Sequence, residues 1–180
     1  GAKTLVIEKS DHYGGTSATS VGGVWIPNNR YAKAENVNDS DQDARDYINS
    51  VSPEGKIKDE LVETYIAEGP KMIDYLHENS QVKYRNLAHY PDYFPDNPGG
   101  KAGNRSMEPE PIKGTELGDD LGRLRSQHPQ TAFTMGPINM NFTQVEGQLL
   151  LGALPGWKSQ FAKLFTKYIL DIPMRIKWGW

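Results

Sequence analysis

Residues 4–29 read TLVIEKSDHYGGTSATSVGGVWIPNN, and this stretch decides the fold class. Its first part, residues 4–7, is a short apolar run that does not alternate with polar residues, which is typical of a buried strand in a parallel sheet. Glu8 follows at the carboxyl end of that predicted strand. A carboxylate at this position is well placed to accept hydrogen bonds from two ribose hydroxyls.

The loop after the predicted strand combines glycines with small hydroxyl side chains. Glycine lets a backbone approach a ligand without interference from a Cβ atom, and hydroxyl and N–H donors suit phosphate or flavin oxygens. The residues concerned are Gly14, Gly15, Thr16, Ser17, Ser20, Gly22 and Gly23. Glu8 taken singly is compatible with a solvated strand end, and the glycines with an ordinary turn. At this spacing, the combination favours a nucleotide site.

The composition argues against several other classes of protein. The 180 residues carry a formal net charge of −3 and contain no cysteine, so the sequence predicts no nucleic-acid partner and permits no thiolate site. The four histidines are scattered without metal-ligand spacing, so no metal site is predicted. The chain shows no signal-peptide pattern and no membrane-spanning apolar run, and we expect it in the cytoplasm.

Helices are predicted after the glycine loop. Asp39 or Ser40 can cap a helix that reaches about Val51. Pro53 predicts the start of a second helix, and Gly69-Pro70 predicts its end. A third helix should then finish near residue 79.

The second half of the chain is less regular. Residues 82–87 alternate and predict a strand, whereas residues 88–147 lack periodicity and predict a long irregular region. Residues 157–172 return to helical spacing, with apolar positions on one side and lysines elsewhere.

The irregular region opens with an aromatic loop, YPDYFP at residues 90–95. Aromatic rings on a proline-stiffened loop can form a flat apolar wall with hydroxyl tips, which suits a rigid hydrophobic ring substrate. The same rings are also compatible with simple packing of the loop onto its domain. The residues alone leave both interpretations open.

Two groups of motifs resemble one known family. VIEK at 6–9, GGTSA at 14–18 and WIPNN at 25–29 resemble the FAD-binding region of the 3-ketosteroid dehydrogenases, within the fumarate reductase/succinate dehydrogenase flavoprotein superfamily. PDY at 91–93 and GNRS at 103–106 are similar to the aromatic loop of that family.

The resemblance implies a fold, a cofactor and an activity. The fold would be α/β, a partial Rossmann-like FAD-binding domain that lacks its first β-strand and Gly-rich turn. Glu8 and Lys9 would lie at the adenosine end of FAD, and the glycine loop would line its pyrophosphate and flavin. Tyr93 would belong to the active site and support the catalytic base. The reaction would dehydrogenate the A ring of a 3-ketosteroid, with a hydride passing to flavin and a proton to a tyrosine base.

The resemblance also implies a division of the chain. Residues 1–120 would be the partial FAD-binding domain, with the active-site loop at 88–110. Residues 121–180 would begin the catalytic region and carry the amphipathic helix 157–172. Because the Gly-rich turn and the principal base would lie outside this chain, we expect the polypeptide alone to be inactive and to bind FAD weakly or not at all.

Two alternatives remain at this point. A fumarate-reductase-like flavoprotein would act on a dicarboxylate, although the aromatic loop argues against so polar a substrate. A non-catalytic membrane-surface module would use the basic helix 157–172, for which packing inside the protein is the favoured role. The electron acceptor is open. The main interpretation depends on residues 4–7 lying in a parallel sheet with Glu8 at its end.

Overall fold

The computed structural model describes residues 3–20, 22–126 and 142–178. The chain forms two compact units, one of residues 23–110 and one of residues 1–22 together with 111–180. In chain order the elements are α1 (Gly15–Thr19), β1 (Val24–Trp25), α2 (Arg30–Ala34), α3 (Asp41–Val51), α4 (Asp59–Asn79), β2 (Tyr84–Asn86), β3 (Ser106–Pro109), a 3-10 helix (Gly114–Arg123), α5 (Gln144–Leu151) and α6 (Trp157–Trp178). The fold is therefore a mixture of helices with a small sheet.

The sheet of the unit 23–110 is antiparallel and has the strand order β1-β3-β2. Met107 in the central strand lies opposite Val24 on one side and Asn86 on the other. Its side chain is fully buried and packs in a core cluster with Ile26 and Ile73. The cluster joins the sheet to α4, and burial of its apolar side chains stabilises the unit.

Helix α3 begins where the sequence predicted. The Ser40 side chain caps it by accepting a hydrogen bond from the backbone N–H of Asp43, and Asp41 and Asp43 lie in the first turn. Ala44 on its inner face packs with Val62 and Ile66 of α4 in a second core cluster.

Helix α4 corrects the prediction of two separate helices. It begins at Asp59 and runs through Gly69 and Pro70 without a break. Gly69 is buried, and a Cβ atom there would lie 3.3 Å from the Ile26 side chain. Proline removes one hydrogen bond and crowds the preceding turn. Since both halves of α4 bury side chains in the core, this packing keeps the helix continuous.

The predicted strand at residues 4–7 is wrong. The segment has no regular secondary structure, and Leu5, Val6 and Ile7 are 85%, 86% and 85% exposed. Among the described residues, no strand pairs with it, and the sheet that exists is antiparallel. A strand requires a neighbour for its backbone N–H and C=O groups, and apolar sequence alone does not supply one.

The unit that contains the chain ends has α5 and α6 as its main helices. A capping box starts α5: the Glu146 N–H donates to Thr143 Oγ1, and the Thr143 N–H donates to the Glu146 carboxylate. Gln160 of α6 donates to the same carboxylate at 3.1 Å, and Leu164 of α6 is buried.

The prediction of an irregular region over 88–147 missed three elements. These are β3, the 3-10 helix and the start of α5. Residues 127–141 of this region lie outside the described part of the chain.

Helix α6 confirms the predicted helix at 157–172 and extends it to Trp178. Several of its apolar side chains remain exposed: Phe161, Phe165, Ile169, Leu170, Ile172 and Ile176. In the described part of the chain, no helix combines the length and apolar character needed to cross a membrane.

Candidate functional site

The carboxylate of Glu8 is exposed on an irregular segment. Its Oε1 atom accepts hydrogen bonds from the backbone N–H groups of Lys9 and Ser10, at 2.7 and 3.1 Å. These local bonds tie the carboxylate to its own turn, and Lys9 beside it is also exposed. Because the carboxylate of Glu8 is exposed, it can still accept hydrogen bonds from hydroxyl groups of a ligand.

The glycine loop begins with a left-handed turn and continues as α1. Gly14 has φ 110° and Gly15 has φ 52°, conformations that side chains rarely adopt. A Cβ atom on Gly14 would also lie 2.6 Å from the Cβ of Ala18. Thr16 and Ser17 lie in the exposed first turn of α1. The glycines therefore serve the shape of the loop, and the hydroxyls lie on its surface.

The end of the loop turns back on itself. The Ser20 hydroxyl accepts a hydrogen bond from the N–H of Gly22 at 3.2 Å, and Gly22 has φ 66°. Gly23 is exposed and belongs to the unit 23–110.

The donor set of residues 8–20 fits the adenosine and pyrophosphate parts of FAD in chemistry. It presents one exposed carboxylate for ribose hydroxyls, and exposed hydroxyls at Thr16 and Ser17 for phosphate oxygens. An arrangement of this type can bind a nucleotide but contains no group for redox chemistry of its own.

Arg125 is a candidate ligand-binding residue that the sequence analysis did not identify. With Ser126 it lines an open depression together with Ser10, Asp11 and His12. Backbone hydrogen bonds align the two segments, since the Arg125 N–H donates to Tyr13 O and the Tyr13 N–H donates to Arg123 O, each at 2.9 Å. A guanidinium beside the loop favours an anionic ligand. The sequence carried no signal for it, because the pairing spans more than a hundred positions.

The aromatic loop presents its rings outward. Tyr93 is 84% exposed and Phe94 is 57% exposed, whereas Asp92 before them is buried. The interpretation that these rings only pack the loop onto its unit is wrong for these two side chains. An exposed phenol and an exposed phenyl on neighbouring positions can contact a hydrophobic ligand.

Close backbone contacts hold the aromatic loop against α3 and also hold its two ends together. A Cβ atom on Gly99, which has φ 71°, would lie 2.0 Å from the carbonyl oxygen of Asp43. A Cβ atom on Gly103 would lie 2.0 Å from the carbonyl oxygen of Ala88. The Phe94 N–H donates to the Tyr47 hydroxyl at 3.3 Å. The glycines of the loop are required because no side chain fits between these backbones.

A buried ion group lies beneath the loop. Arg105, which is 1% exposed, donates from Nη1 to Asp92 at 2.9 Å and from Nη2 to Asp39 at 2.7 Å. Its guanidinium lies over the rings of Trp25 and Tyr47, at 5.4 and 5.7 Å from their centroids. Arg105 therefore holds the loop by hydrogen bonds.

Two pKa shifts accompany this geometry. Burial raises the pKa of Tyr90 above its usual range, and the neighbouring Tyr93 phenol raises it further. Hydrogen bonds from Lys101 and then Ser40 lower the pKa of Asp43 below its usual range. The first shift means that the Tyr93 phenol disfavours ionisation of Tyr90.

Within residues 3–20, 22–126 and 142–178, no group of three or more metal-ligating side chains lies in a suitable arrangement.

Comparison with known proteins gives consistent matches. The sequence profile of the FAD binding domain matches residues 1–146. The chain is 36% identical over 145 residues to a 3-oxosteroid 1-dehydrogenase of Mycolicibacterium smegmatis, covering 81% of this chain and 25% of that protein. It is 35% identical over 136 residues to a 4-oxocyclohexanecarboxylate 2-dehydrogenase of Sinomonas cyclohexanicum, covering 75% of this chain and 23% of that protein.

A solved structure matches as well. The 3-ketosteroid delta1-dehydrogenase of Sterolibacterium denitrificans, crystallised with 1,4-androstadiene-3,17-dione, aligns with a TM-score of 0.83 at 38% sequence identity. The alignment covers 96% of this chain and 30% of that one. The chain thus spans about a quarter of the length of the curated relatives cited above.

Proposed function

The chain belongs to the FAD binding domain family, and from that membership we propose that it forms the adenosine-side part of an FAD-dependent oxidoreductase acting on 3-ketosteroids. The family match confirms the sequence-based prediction of FAD as the cofactor. The reaction proposed is dehydrogenation of the steroid A ring. The relatives named above are dehydrogenases of ring ketones, which supports this class of substrate.

One observation carries the proposal for the substrate. Tyr93 and Phe94 stand exposed at the tip of a loop whose base is buried and bonded to α3. Exposed aromatic side chains on a rigid base suit a flat apolar ligand, because little conformational entropy is lost when they bind it.

Each candidate residue has a stated part in this proposal. Glu8 would accept hydrogen bonds from the adenosine ribose, with Lys9 beside it. Residues 14–23 would approach the pyrophosphate and the flavin. Tyr93 would support a base that takes the substrate proton, and FAD, when bound, supplies the acceptor for the hydride.

Three finer statements are also proposals. The fold of the FAD-binding part of this chain would be partial Rossmann-like. The FAD-binding part would end near residue 120, and residues 121–180 would begin the catalytic region. The 180-residue chain alone would be inactive, because the principal base of the reaction would not be among its residues.

The cofactor assignment can be tested in a chimera. This chain would replace the matching segment of the Sterolibacterium denitrificans enzyme, to which it is 38% identical. Glu8→Gln should lower the bound flavin per protein at least tenfold, because the ribose loses a charged acceptor. Glu54→Gln, at another exposed glutamate, is the matched control and should retain its flavin. Equal flavin content in both variants contradicts the role of Glu8.

The substrate class is tested with the same chimera. We expect a 3-ketosteroid to be dehydrogenated in the presence of an artificial electron acceptor, and fumarate to remain unreduced by a chemically reduced flavin. Turnover of the dicarboxylate without turnover of the steroid would favour the fumarate-reductase-like alternative.

A second candidate function rests on α6. Its exposed phenylalanines and isoleucines, with Lys158, Lys163 and Lys167 on the same helix, match the pattern of a helix that binds an anionic membrane surface. Sedimentation with vesicles of anionic lipid tests it. Binding that disappears at high salt would support this function, and absence of binding removes it.

A further inference from the structure

The buried ion group lies immediately before the exposed Tyr93. Asp92 is 5% exposed, whereas Tyr93 is 84% exposed. The chain therefore passes within one residue from a buried anchor to an exposed phenol. The direction in which Tyr93 leaves the loop depends on how firmly Asp92 is held.

Asp92 is held through both its side chain and its backbone. Its Oδ1 atom accepts a hydrogen bond from Trp25 Nε1 at 2.7 Å. Its Oδ2 atom accepts from Arg105 Nη1 at 2.9 Å and from the Lys101 N–H at 3.0 Å. The Asp92 N–H donates to the Lys101 carbonyl oxygen at 3.0 Å. Four hydrogen bonds leave this residue little freedom to rotate or shift.

The other side of Tyr93 is also anchored. The Phe94 N–H donates to the Tyr47 hydroxyl, and Tyr47 is buried in α3. Both peptide neighbours of Tyr93 are thus attached to the body of the unit, whereas Tyr93 itself is exposed. An exposed residue between two anchored residues has a defined backbone, and its side chain is restricted to the few rotamers that this backbone allows.

Arg105 links the anchor to the rest of the unit. It donates to both oxygens of Asp39, from Nη2 and from Nε, and to Asp92 on the other side. The three side chains are nearly inaccessible to solvent, with 2% or 3% of each exposed. A buried ion group of this kind adds little net stability compared with apolar packing, and its best attested use is to specify one conformation.

We propose that Asp92, fixed by Arg105 and Trp25, is a positioning residue that sets the direction in which the Tyr93 phenol leaves the loop. This inference rests on the proposed function only where it takes Tyr93 as the active-site tyrosine. The position of the phenol itself can be measured without flavin or steroid.

Two variants test the anchor. Asp92→Asn places an amide N–H₂ group where N–H donors already converge, and it leaves Arg105 with one carboxylate partner. Trp25→Phe is milder, because it removes the Nε1 donor and part of the ring but keeps an aromatic ring beneath Arg105. The second variant decides the question if Asp92→Asn does not fold. Val62→Ala, a core change in the α3–α4 cluster, is the control for general destabilisation.

The measurement is the titration of Tyr90 in the 180-residue chain, followed by NMR with ¹³C-labelled tyrosine. In the unchanged protein Tyr90 should titrate above the usual range for tyrosine, because of its burial and the adjacent Tyr93 phenol. In Trp25→Phe and in folded Asp92→Asn, the pKa of Tyr90 should fall towards its usual range. In Val62→Ala it should stay where it is.

The outcomes separate this inference from the proposed function. An unchanged Tyr90 titration in the two loop variants overturns the positioning role, and so does an equal change in Val62→Ala. In the chimera, Asp92→Asn should lower kcat for the steroid by about 100-fold with a much smaller effect on KM, as expected for a misplaced catalytic group. If the unaltered chimera does not dehydrogenate steroid, the proposed function fails while the titration result stands.

Discussion

At the residue scale, the loop at 88–103 depends on glycines that accept close backbone contact. Gly99 and Gly55 both have positive φ, 71° and 67°, but only Gly99 would place a Cβ atom against another backbone. We expect Gly55→Ala to lower the free energy of unfolding by about 1 kcal/mol, which is the cost of the left-handed conformation. Gly99→Ala should cost about 3 kcal/mol, because a steric clash is added.

Urea unfolding of the two alanine variants measures this difference. Similar losses in both would show that the contact between Gly99 and the Asp43 carbonyl is looser than the structure indicates.

The ion pair of Asp43 and Lys101 gives a dependence on pH at the same scale. The hydrogen bond from Lys101, and then that from Ser40, lowers the pKa of Asp43. The stabilisation is therefore complete at pH values above about 4, the usual pKa of aspartate, and is lost as pH falls through the lowered pKa. Because the Asp43 side chain is 35% exposed, solvent screening limits the contribution to less than about 1 kcal/mol.

Lys101→Met tests this dependence. The variant should be less stable than the unchanged protein at pH 7, and the difference should shrink as the pH is lowered below 4. Thermal unfolding between pH 2.5 and 7 is the measurement, and a difference that grows in acid would contradict the assignment.

At the scale of elements, α4 shows a proline tolerated inside a long helix. Pro70 lacks the N–H that would bond to the preceding turn, but both halves of the helix are held by core contacts. We expect Pro70→Ala to raise the free energy of unfolding by about 1 to 2 kcal/mol, since alanine restores the bond and removes the crowding. Part of the gain is offset by greater freedom of the unfolded chain.

Pro53→Ala is the control, because Pro53 lies outside the helices and is exposed. This variant should change stability by about 0.5 kcal/mol or less. A loss of stability in Pro70→Ala would show that the proline ring makes a packing contact worth more than the missing hydrogen bond.

A second prediction compares an exposed isoleucine in the segment 4–7 with a buried isoleucine in α4. Ile7 is 85% exposed and Ile73 is 1% exposed, so the same substitution should have different costs. Ile73→Ala should lower the free energy of unfolding by about 2 to 5 kcal/mol, and Ile7→Ala by less than about 0.5 kcal/mol. A large cost at Ile7 would show that the segment is buried in solution.

At the scale of the whole molecule, the exposure of residues 5–7 bears on cofactor binding. An apolar segment that should stand beside the adenosine end of FAD is open to solvent here. We expect 0.1 mM FAD, roughly the level needed to saturate a micromolar site, to leave the unfolding temperature of the 180-residue chain unchanged. The chimera described above should be stabilised by several degrees. A clear shift for the chain alone would contradict the expectation of weak binding.

The sequence determined the family, although one of its structural arguments did not hold. Residues 4–7 do not form a strand in the described structure, yet the FAD binding domain profile includes them. The residue types in short motifs such as GGTSA and PDY are set by local chemical requirements. These requirements do not depend on whether a partner strand is present. The site roles of Glu8 and Tyr93, the domain division and the cytoplasmic location stay predictions.

What the sequence by itself determined are the features set by near neighbours: the Ser40 cap, the helical spacing of α6 and the glycine turns around Gly14. Only the tertiary structure decided the continuity of α4, the antiparallel pairing of β1 with β3 and the buried group around Arg105. The reason is the range of the forces involved. Caps and turns act within a few residues, whereas strand pairing, helix continuity through a proline and ion burial depend on groups that are distant in the chain.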